Sequence, residues 1–373
     1  MTQCQGASTA TQSGYAPSVW LGAPAPGGLA LPSAVPASDT MYAPRGVWFD
    51  DERLIVSDSG NHRILIWNSI PTTDHAPADI VLGQPDFSEE GIKLFHLPTG
   101  VAVINGKFIV ADSWHHRLLI WDSIPESNDT PPDHIIGQAS IDDVEPNRGN
   151  LEATRDGFYW PYGFGVAGGR FFVADTGNRR VLGWPDVPSP GELPHWIIGQ
   201  DDWTKRGENR DSPVGPLTFR WPHGIAGDDK SLYIADAGNH RVVGWSDACA
   251  ACDGAEPDVV LGQEDFTSSK EWPYGPQAGN VHRFPYDVAM DKGSLAISDT
   301  ANNRILIHDS APTVGQGVSC NEVLAQPDFE SNGENRWKSV LPDTLCWPYG
   351  LHFKDSTIAV ADSGNNRVII WKR

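Results

Sequence analysis

Leu54-Ile-Val-Ser-Asp-Ser-Gly-Asn-His-Arg-Ile-Leu-Ile-Trp67 decides the fold, because two apolar runs are joined in it by a short polar corner from Asp58 to Arg63. The same kind of corner occurs six times, beginning at Asp58, Asp112, Asp175, Asp236, Asp299 and Asp362. The successive spacings are 54, 63, 61, 63 and 63 residues, which is typical of a unit that forms one four-stranded sheet. The sequence therefore predicts an all-β fold, a six-bladed β-propeller of four-stranded antiparallel blades.

The ends of the chain predict how the ring closes. Alternation and turn residues place the strands of the first unit at 46–49, 54–58, 63–67 and 80–84, whereas the sixth unit has no fourth strand after Trp371. Residues 18–24 carry the Leu-Gly pattern that ends the fourth strands of other units, so we predict that this segment completes the last blade. Residues 1–15 are predicted to be a flexible tail and residues 16–373 a single propeller domain.

Two corners carry an Asn-His signature, Asn61-His-Arg-Ile64 and Asn239-His-Arg-Val242. With six copies in register over residues 18–373, the chain resembles the NHL-repeat family of six-bladed β-propellers. Members of this family and related propellers serve in binding, scaffolding, RNA recognition and metal-dependent catalysis. The resemblance therefore implies the fold and does not by itself identify the function.

The repeated Asp and Arg residues are interpreted as structural, because all six units carry them whereas chemistry would single out a few. A carboxylate that faces a guanidinium five residues later can pin a tight corner by charge-assisted hydrogen bonds. We expect Gly or Asn at the positive-φ position of each corner.

Variation is concentrated in the segments that lead into the innermost strands, which we call the lead segments: residues 42–46, 96–100, 159–163, 220–224, 283–287 and 346–350. Each has a central Pro, and we expect the lead segments to share one face with the corners, around the channel mouth. The candidate ligand- or partner-binding rim consists of Arg45, His96, Thr99, Tyr159, Tyr162, Arg220, His223, Arg283, Tyr286 and Tyr349.

This mixture of rings and directional donors suits an anchor side chain from a protein partner, or a small anionic or amide-bearing ligand. The alternative is structural, with Trp160, Trp221, Phe284 and Trp347 wedged between blades and the tyrosines capping the channel. The second corner adds Trp114 and His115, where other units have a small residue and Asn. An aromatic ring at a corner exposes apolar surface, so these two residues are a candidate partner contact, with a local packing change as the alternative.

Metal chemistry at the channel mouth is a further alternative. His96-Leu-Pro-Thr99 resembles a ligand motif of a related zinc lyase, but the equivalent positions elsewhere are Tyr, Arg or Cys and do not supply three histidines. Weaker metal candidates are Cys249, Cys252 and Cys320, in connections between third and fourth strands. No cofactor is predicted, and a divalent metal in the channel is left open.

Charge and hydropathy exclude several partners. With 27 basic and 48 acidic residues the net charge is −21, which opposes the phosphate contacts of nucleic-acid binding. No stretch approaches the roughly 20 apolar residues that cross a bilayer, and no secretion signal is visible at the start. A cytoplasmic location without a membrane partner is predicted.

Together these patterns favour a non-enzymatic protein-binding or scaffold module that uses the loop-rich face around the central channel. The alternative function is a small-ligand binder, or a metal-dependent lyase or hydrolase, with its site at the channel mouth.

Overall fold

A computed structural model describes residues 13–22, 35–271 and 276–373 of the chain. Within these ranges, 25 strands form six sheets that correspond to the six predicted blades. Each blade is a four-stranded antiparallel meander, and the innermost strands of neighbouring blades contact one another around the channel. The prediction of a six-bladed propeller is confirmed.

Strands at equivalent positions of blades 1 to 6 form four concentric sets. The innermost are β2 (Gly46–Phe49), β6 (Val101–Ile104), β10 (Pro161–Ala167), β14 (Pro222–Gly227), β18 (Pro285–Asp291) and β23 (Pro348–Lys354). The second are β3 (Leu54–Asp58), β7 (Lys107–Asp112), β11 (Arg170–Asp175), β15 (Leu232–Asp236), β19 (Ser294–Asp299) and β24 (Thr357–Asp362). The third are β4 (Arg63–Trp67), β8 (Arg117–Trp121), β12 (Arg180–Trp184), β16 (Arg241–Trp245), β20 (Arg304–His308) and β25 (Arg367–Lys372).

The outermost strands are β5 (Ile80–Leu82), β9 (His134–Ile136), β13 (Trp196–Ile198), β17 (Val259–Leu261), β22 (Glu322–Leu324) and, in blade 6, β1 (Ala16–Gly22). A two-residue strand, β21 (Gly315–Gln316), pairs in parallel with β17 and gives blade 4 a fifth strand. One short helix, α1 (Ala248–Cys252), lies between β16 and β17. The corners are single 3₁₀ turns, at Ser59–Asn61, Ser113–His115, Thr176–Asn178, Ala237–Asn239, Thr300–Asn302 and Ser363–Asn365, and further 3₁₀ turns are Pro146–Gly149, Glu208–Asp211 and Glu334–Trp337.

The ring is closed by pairing between the two ends of the chain. Strand β1 runs antiparallel to β25, with Trp20 opposite Ile369 and Gly22 opposite Arg367. Trp20 is 2% exposed, and the Arg367 guanidinium lies 3.9 Å from its ring centroid. The predicted closure is therefore confirmed, while most of the predicted N-terminal tail, residues 1–12, lies outside the described residues.

The core consists of apolar layers between adjacent blades. The layer between blades 1 and 2, for example, packs Ile55 and Ile64 against Phe108, Val110 and Leu119. Because each blade buries both of its faces against neighbours, its strands read as near-continuous apolar runs and no blade has a core of its own.

The fourth strands end two residues earlier than the sequence pattern predicted. In blade 1 the strand stops at Leu82, because Gly83 adopts a positive φ of 85° and turns the chain away from the sheet. The side chain of Gln84 then donates to the carbonyl oxygen of Gly91 over 2.7 Å, which stabilises the following loop.

The expectation of Gly or Asn at the positive-φ position of each corner is wrong for four of the six corners. The left-handed residue is the one before the Arg, and these residues are His62, His116, Arg179, His240, Asn303 and Asn366. In five of the six, the side chain accepts a hydrogen bond from a backbone N–H of the next blade's lead segment. The acceptor–donor pairs are His62–Leu97, His116–Trp160, His240–Phe284, Asn303–Trp347 and Asn366–Ala43.

We call these contacts the inter-blade latches. Arg179 has no acceptor atom, and at its interface the backbone N–H of Trp221 donates instead to Asp236 of its own blade over 3.2 Å. The latches explain why a His or Asn precedes the Arg in five corners: the position needs a side chain that tolerates a left-handed backbone and also accepts a hydrogen bond.

Candidate functional site

The lead segments and the corners lie on the same face of the ring, as predicted. In blade 3 the backbone N–H of Gly177, in the corner, donates to the carbonyl oxygen of Tyr159 over 2.7 Å. The backbone N–H of Tyr159 in turn donates to Asp175 Oδ1 over 2.7 Å. The equivalent bond from lead segment to corner Asp occurs in all six blades, so this face is built in the same way around the channel.

The corner Asp and Arg residues form buried structural pairs. In blade 3 the Asp175 Oδ2 atom lies 2.7 Å from Arg180 Nε, and both side chains are fully buried. The remaining nitrogens of Arg180 donate to carbonyl oxygens of Trp203, Thr154 and Gly157, in the loops that flank the blade. Each pair thus fastens two strands and two loops together, which confirms the structural interpretation of these residues.

The residues that directly follow the central Pro of each lead segment converge on the channel axis. Ring centroids are 4.3 Å apart for Tyr162 and His223, 4.4 Å for His223 and Tyr286, and 4.7 Å for Tyr286 and Tyr349. The Arg45 guanidinium lies 4.8 Å from the Tyr349 ring centroid and continues the series. These four rings fill the channel at this level, and we call them the aromatic plug.

The plug is more buried than an exposed binding rim would be. Tyr162 is 4% exposed and His223 1%, and Thr99 is fully buried with its hydroxyl donating to the carbonyl oxygen of Tyr162 over 2.6 Å. Tyr162 and His223 are therefore buried within the plug, whereas Tyr286 and Tyr349 are partly buried.

Burial also sets the protonation of the plug. It lowers the pKa of His223 to about 3, and the ring's Nδ1 lies 2.8 Å from the carbonyl oxygen of Trp221. Burial likewise raises the pKa of Tyr286 to about 12, so that its phenol stays protonated. His223 and Tyr286 are therefore neutral near pH 7, and these two groups are poorly suited to acid–base catalysis there.

The rim residues that precede the Pro lie further from the axis and are more accessible. The Arg220 Nε atom is 3.3 Å from Glu208 Oε2, and an Arg283 amino nitrogen is 2.8 Å from Glu271 Oε1. Because loop carboxylates already neutralise these two arginines, they do not form a ready anion site with Arg45. Tyr159 packs edge-on against His116 with ring centroids 5.4 Å apart.

At the second corner, the structure separates Trp114 from its neighbour His115. Trp114 is 47% exposed and contacts the ring of Trp160, with centroids 6.2 Å apart. His115 is 8% exposed, and its Nδ1 lies 3.0 Å from Asp112 Oδ2, within the buried corner pair. Trp114 is thus available for a partner contact, whereas His115 is part of the corner.

The candidate metal ligands do not form a metal site among the described residues. His96 lies beside His62 and His115, with centroid separations of 5.3 and 5.4 Å, but no three His, Cys, Asp or Glu side chains in the described ranges are arranged to hold an ion. Cys249 and Cys252 lie on α1. Cys320 is buried in another core layer and contacts His308 Nε2 over 3.2 Å, where burial raises the pKa of its thiol.

Two features of this region were missed at the level of sequence. Asp287 lies on the channel wall where the other five lead segments end in Gly, a difference that is visible in the aligned segments. Trp337, in the 3₁₀ turn Glu334–Trp337, is 77% exposed and lies near Trp347, whose Nε1 donates to Glu334 Oε1 over 3.0 Å. Its turn precedes the sixth lead segment, so proximity in sequence could have indicated it. No helix of the described residues is long and apolar enough to cross a membrane.

Comparison with protein families agrees with this architecture. The model of the NHL repeat matches residues 95–121 and 219–245, which contain the corners of blades 2 and 4. Human (Homo sapiens) NHL repeat-containing protein 2 is 24% identical in a match of 350 residues. This match covers 85% of this chain and 44% of that protein. The chain therefore spans less than half the length of this curated relative.

Solved structures with similar folds are distant in sequence. A streptogramin B lyase structure has a TM-score of 0.45 at 13% identity, covering 91% of this chain and 95% of the other. The WD40 β-propeller domain of Doa1 has a TM-score of 0.49 at 11% identity, covering 97% and 98%. A chain of a nidogen/laminin complex has a TM-score of 0.46 at 14% identity, covering 84% and 86%.

Proposed function

Since this chain belongs to the NHL-repeat family, we propose that it is a protein-binding module whose partner docks on the exposed aromatic side chains of the lead-segment face. We call the set that carries this proposal the aromatic arc: Tyr42, Trp114, Trp337 and Trp347. The four side chains are 47%, 47%, 77% and 39% exposed. They belong to blades 6, 1 and 2, which are consecutive around the ring.

The exposure of these rings is the observation that supports binding. Large aromatic side chains are usually buried, so four exposed rings on neighbouring blades are a candidate interaction surface. Trp is also enriched among the residues that dominate the binding energy of protein interfaces. The latches hold the backbone of this face, since Asn366 of blade 6 accepts from Ala43 beside Tyr42. A prearranged surface loses little conformational entropy on binding.

Charge favours a partner segment that carries Arg or Lys beside its apolar residues. The net charge of the chain is −21, and Glu334 lies at the arc through its contact with Trp347. A guanidinium or ammonium group can lie on an exposed Trp face, a contact that contributes about 0.5–1 kcal/mol at exposed sites. On the other half of the face, Arg220 and Arg283 are already paired with loop carboxylates, so those carboxylates are less available to a basic partner segment.

The test compares partner capture by two double variants. Trp114→Ala with Trp347→Ala removes two anchors of the arc, and Leu193→Ala with Val314→Ala removes exposed apolar side chains from connections between third and fourth strands. Proteins that associate with the wild-type chain in its native cells are quantified by mass spectrometry, and their affinities for each variant are then measured with purified components. Anchors of this kind contribute about 2 kcal/mol each, so the arc variant should bind at least about 30-fold more weakly.

The control variant should bind like the wild type, and both should keep the native thermal unfolding temperature. Binding to the identified partner should weaken as salt is added, because the proposed contact includes opposite charges. An arc variant that binds every partner with wild-type affinity would exclude this surface.

A further inference from the structure

The central channel beneath the aromatic plug contains a cavity of about 250 Å³. Its walls are the six innermost strands, and they are largely aliphatic and main-chain in character, with Val47, Val103, Ile225, Val288 and Leu351 among the lining residues. Tyr162 of the plug closes the cavity toward the lead-segment face, whereas Val166, at the opposite end of β10, is 37% exposed. The cavity is therefore entered from the face opposite to the aromatic arc.

One carboxylate lies on the wall of this cavity. Asp287 occupies a position where the other lead segments have Gly, and at Gly46 and Gly350 a Cβ atom would come within 2.0 and 2.3 Å of a carbonyl oxygen of the next blade. Blade 5 accommodates the side chain because its ladder shifts register between Pro285 and Asp287. In blades 3, 4 and 6 the shift extends one residue further along the innermost strand.

Asp287 has hydrogen-bond donors but no opposite charge among the described residues. Its Oδ1 accepts from the backbone N–H of Val288 and its Oδ2 from that of Leu351, each over 2.9 Å. Burial raises its pKa to about 7 against these two bonds, and no charged side chain contributes. Asp287 is partly buried, and a carboxylate in such a position without a counter-charge favours uptake of a proton or binding of a cation.

The ionisable side chains around Asp287 do not supply that cation. Those on neighbouring innermost strands and lead segments are Arg45, Tyr162, His223, Tyr286, Tyr349 and His352. The Arg45 guanidinium lies on the Tyr349 ring, 4.8 Å from its centroid. Burial lowers the pKa of His352 to about 4, and its Nδ1 accepts from the backbone N–H of Phe49 over 3.3 Å, so this ring is neutral near pH 7.

Tyr162 closes the cavity without offering its hydroxyl to a bound molecule. Tyr162 lines the cavity and is 4% exposed, and its hydroxyl has no hydrogen-bond partner among the described residues. The hydroxyl oxygen has almost no accessible surface, so it is enclosed by neighbouring atoms and a molecule in the cavity does not reach it. The Asp287 carboxylate and several apolar side chains thus line the same cavity, which is closed at the lead-segment face.

We propose that the channel binds a small organic ammonium ion, whose charged nitrogen contacts Asp287 and whose apolar body lies along the apolar side chains of the walls. Each carboxylate oxygen retains acceptor capacity beyond its backbone bond, so the ammonium adds to the existing contacts. A hard metal cation fits less well, because Ca²⁺ takes about six to eight oxygen ligands and Asp287 is the one carboxylate among the residues that line the cavity. The site is separate from the aromatic arc and does not depend on the proposed protein partner.

The test is isothermal titration calorimetry of the full chain with a series of primary amines from methylamine to phenethylamine, and with 2-phenylethanol as an uncharged analogue. We expect an amine to bind at pH 8 with a dissociation constant of about 1 mM or lower, and the alcohol not to bind. At pH 5.5 the affinity should fall at least about tenfold, because Asp287 is then protonated and must lose its proton to bind. Release of the Asp287 proton on binding should make the measured heat at pH 5.5 depend on the ionisation enthalpy of the buffer.

Two variants locate the site. Asp287→Asn removes the charge with little change of shape, and Asp287→Gly introduces the residue of the other five blades if the first variant does not fold. Each should weaken amine binding at least about tenfold, while the exposed control Asp201→Asn should bind like the wild type. Absence of binding by every amine in the series, or wild-type affinity in the folded Asp287 variants, would overturn the proposal.

Discussion

The His116 latch allows a sharp prediction about acid stability. The ring accepts a hydrogen bond from the backbone N–H of Trp160 over 3.0 Å, and this requires an unprotonated Nδ1. Burial, and to a smaller extent the neighbouring His115, lowers the pKa of His116 to about 4. Unfolding restores a value of about 6.5, so the unfolded chain binds a proton that the folded chain excludes.

This difference in pKa between the folded and unfolded states determines the direction in which stability changes with pH. As the pH falls from 6.5 toward 4, the unfolded state gains protons first, and the stability contributed by a neutral His116 is lost. A shift of about 2.5 pKa units corresponds to about 3.4 kcal/mol in total, of which about 2 kcal/mol is lost between pH 7 and pH 5.

The replacement His116→Asn isolates this effect, because Asn303 and Asn366 already serve as latches at equivalent positions, each over 2.9 Å. Asn also tolerates the left-handed backbone of this residue, whose φ is 57°. Urea unfolding, followed by Trp fluorescence at pH 7 and pH 5, should show the variant gaining about 2 kcal/mol relative to the wild type at the lower pH.

Two further proteins serve as references. His116→Ala leaves the Trp160 N–H without its acceptor and should lower the free energy of unfolding by about 1–3 kcal/mol at pH 7. The exposed control His195→Asn should have the same free energy of unfolding as the wild type at both pH 7 and pH 5. The other histidines are shared by wild type and variant, so their contributions cancel. Equal losses of stability by the wild type and His116→Asn between pH 7 and pH 5 would refute the reasoning.

Three other predictions concern closure, the corner pairs and the channel. Trp20→Ala removes a buried ring from the closing strand and should lower the free energy of unfolding by about 3–5 kcal/mol, and a thermal shift no larger than that of exposed Leu193→Ala would contradict this. Asp175→Asn leaves the buried Arg180 without its counter-charge and should cost about 3–5 kcal/mol in urea unfolding, so a cost below about 1 kcal/mol would show that the pair is dispensable. The folded pKa of Asp287 is raised to about 7, so ionisation of this side chain destabilises the fold as the pH rises. In urea unfolding, the free energy of unfolding of Asp287→Asn should therefore rise by about 2.5 kcal/mol relative to that of the wild type between pH 5 and pH 8. An unchanged difference between the two proteins would place Asp287 in contact with water.

The candidate site was only partly readable from the sequence. The lead segments were located correctly, because the central Pro and the corner Asp recur in every unit, and the exposure of Trp114 follows from its place in a corner of otherwise small residues. The depth of a side chain in the channel was not readable from the sequence, since Tyr162 and Arg220 stand only three positions apart in equivalent segments. One lies in the plug at 4% exposure and the other is accessible beside Glu208.

The sequence by itself determined the repeat, the number of blades and the closure of the ring, because these depend on apolar periodicity and on turn residues that act within one unit. Only the tertiary structure decided which residues meet between units. The latch from His116 to Trp160 and the isolation of the Asp287 carboxylate both join segments from different blades. Such contacts depend on the angle and distance between packed sheets, and no spacing along the chain specifies these quantities.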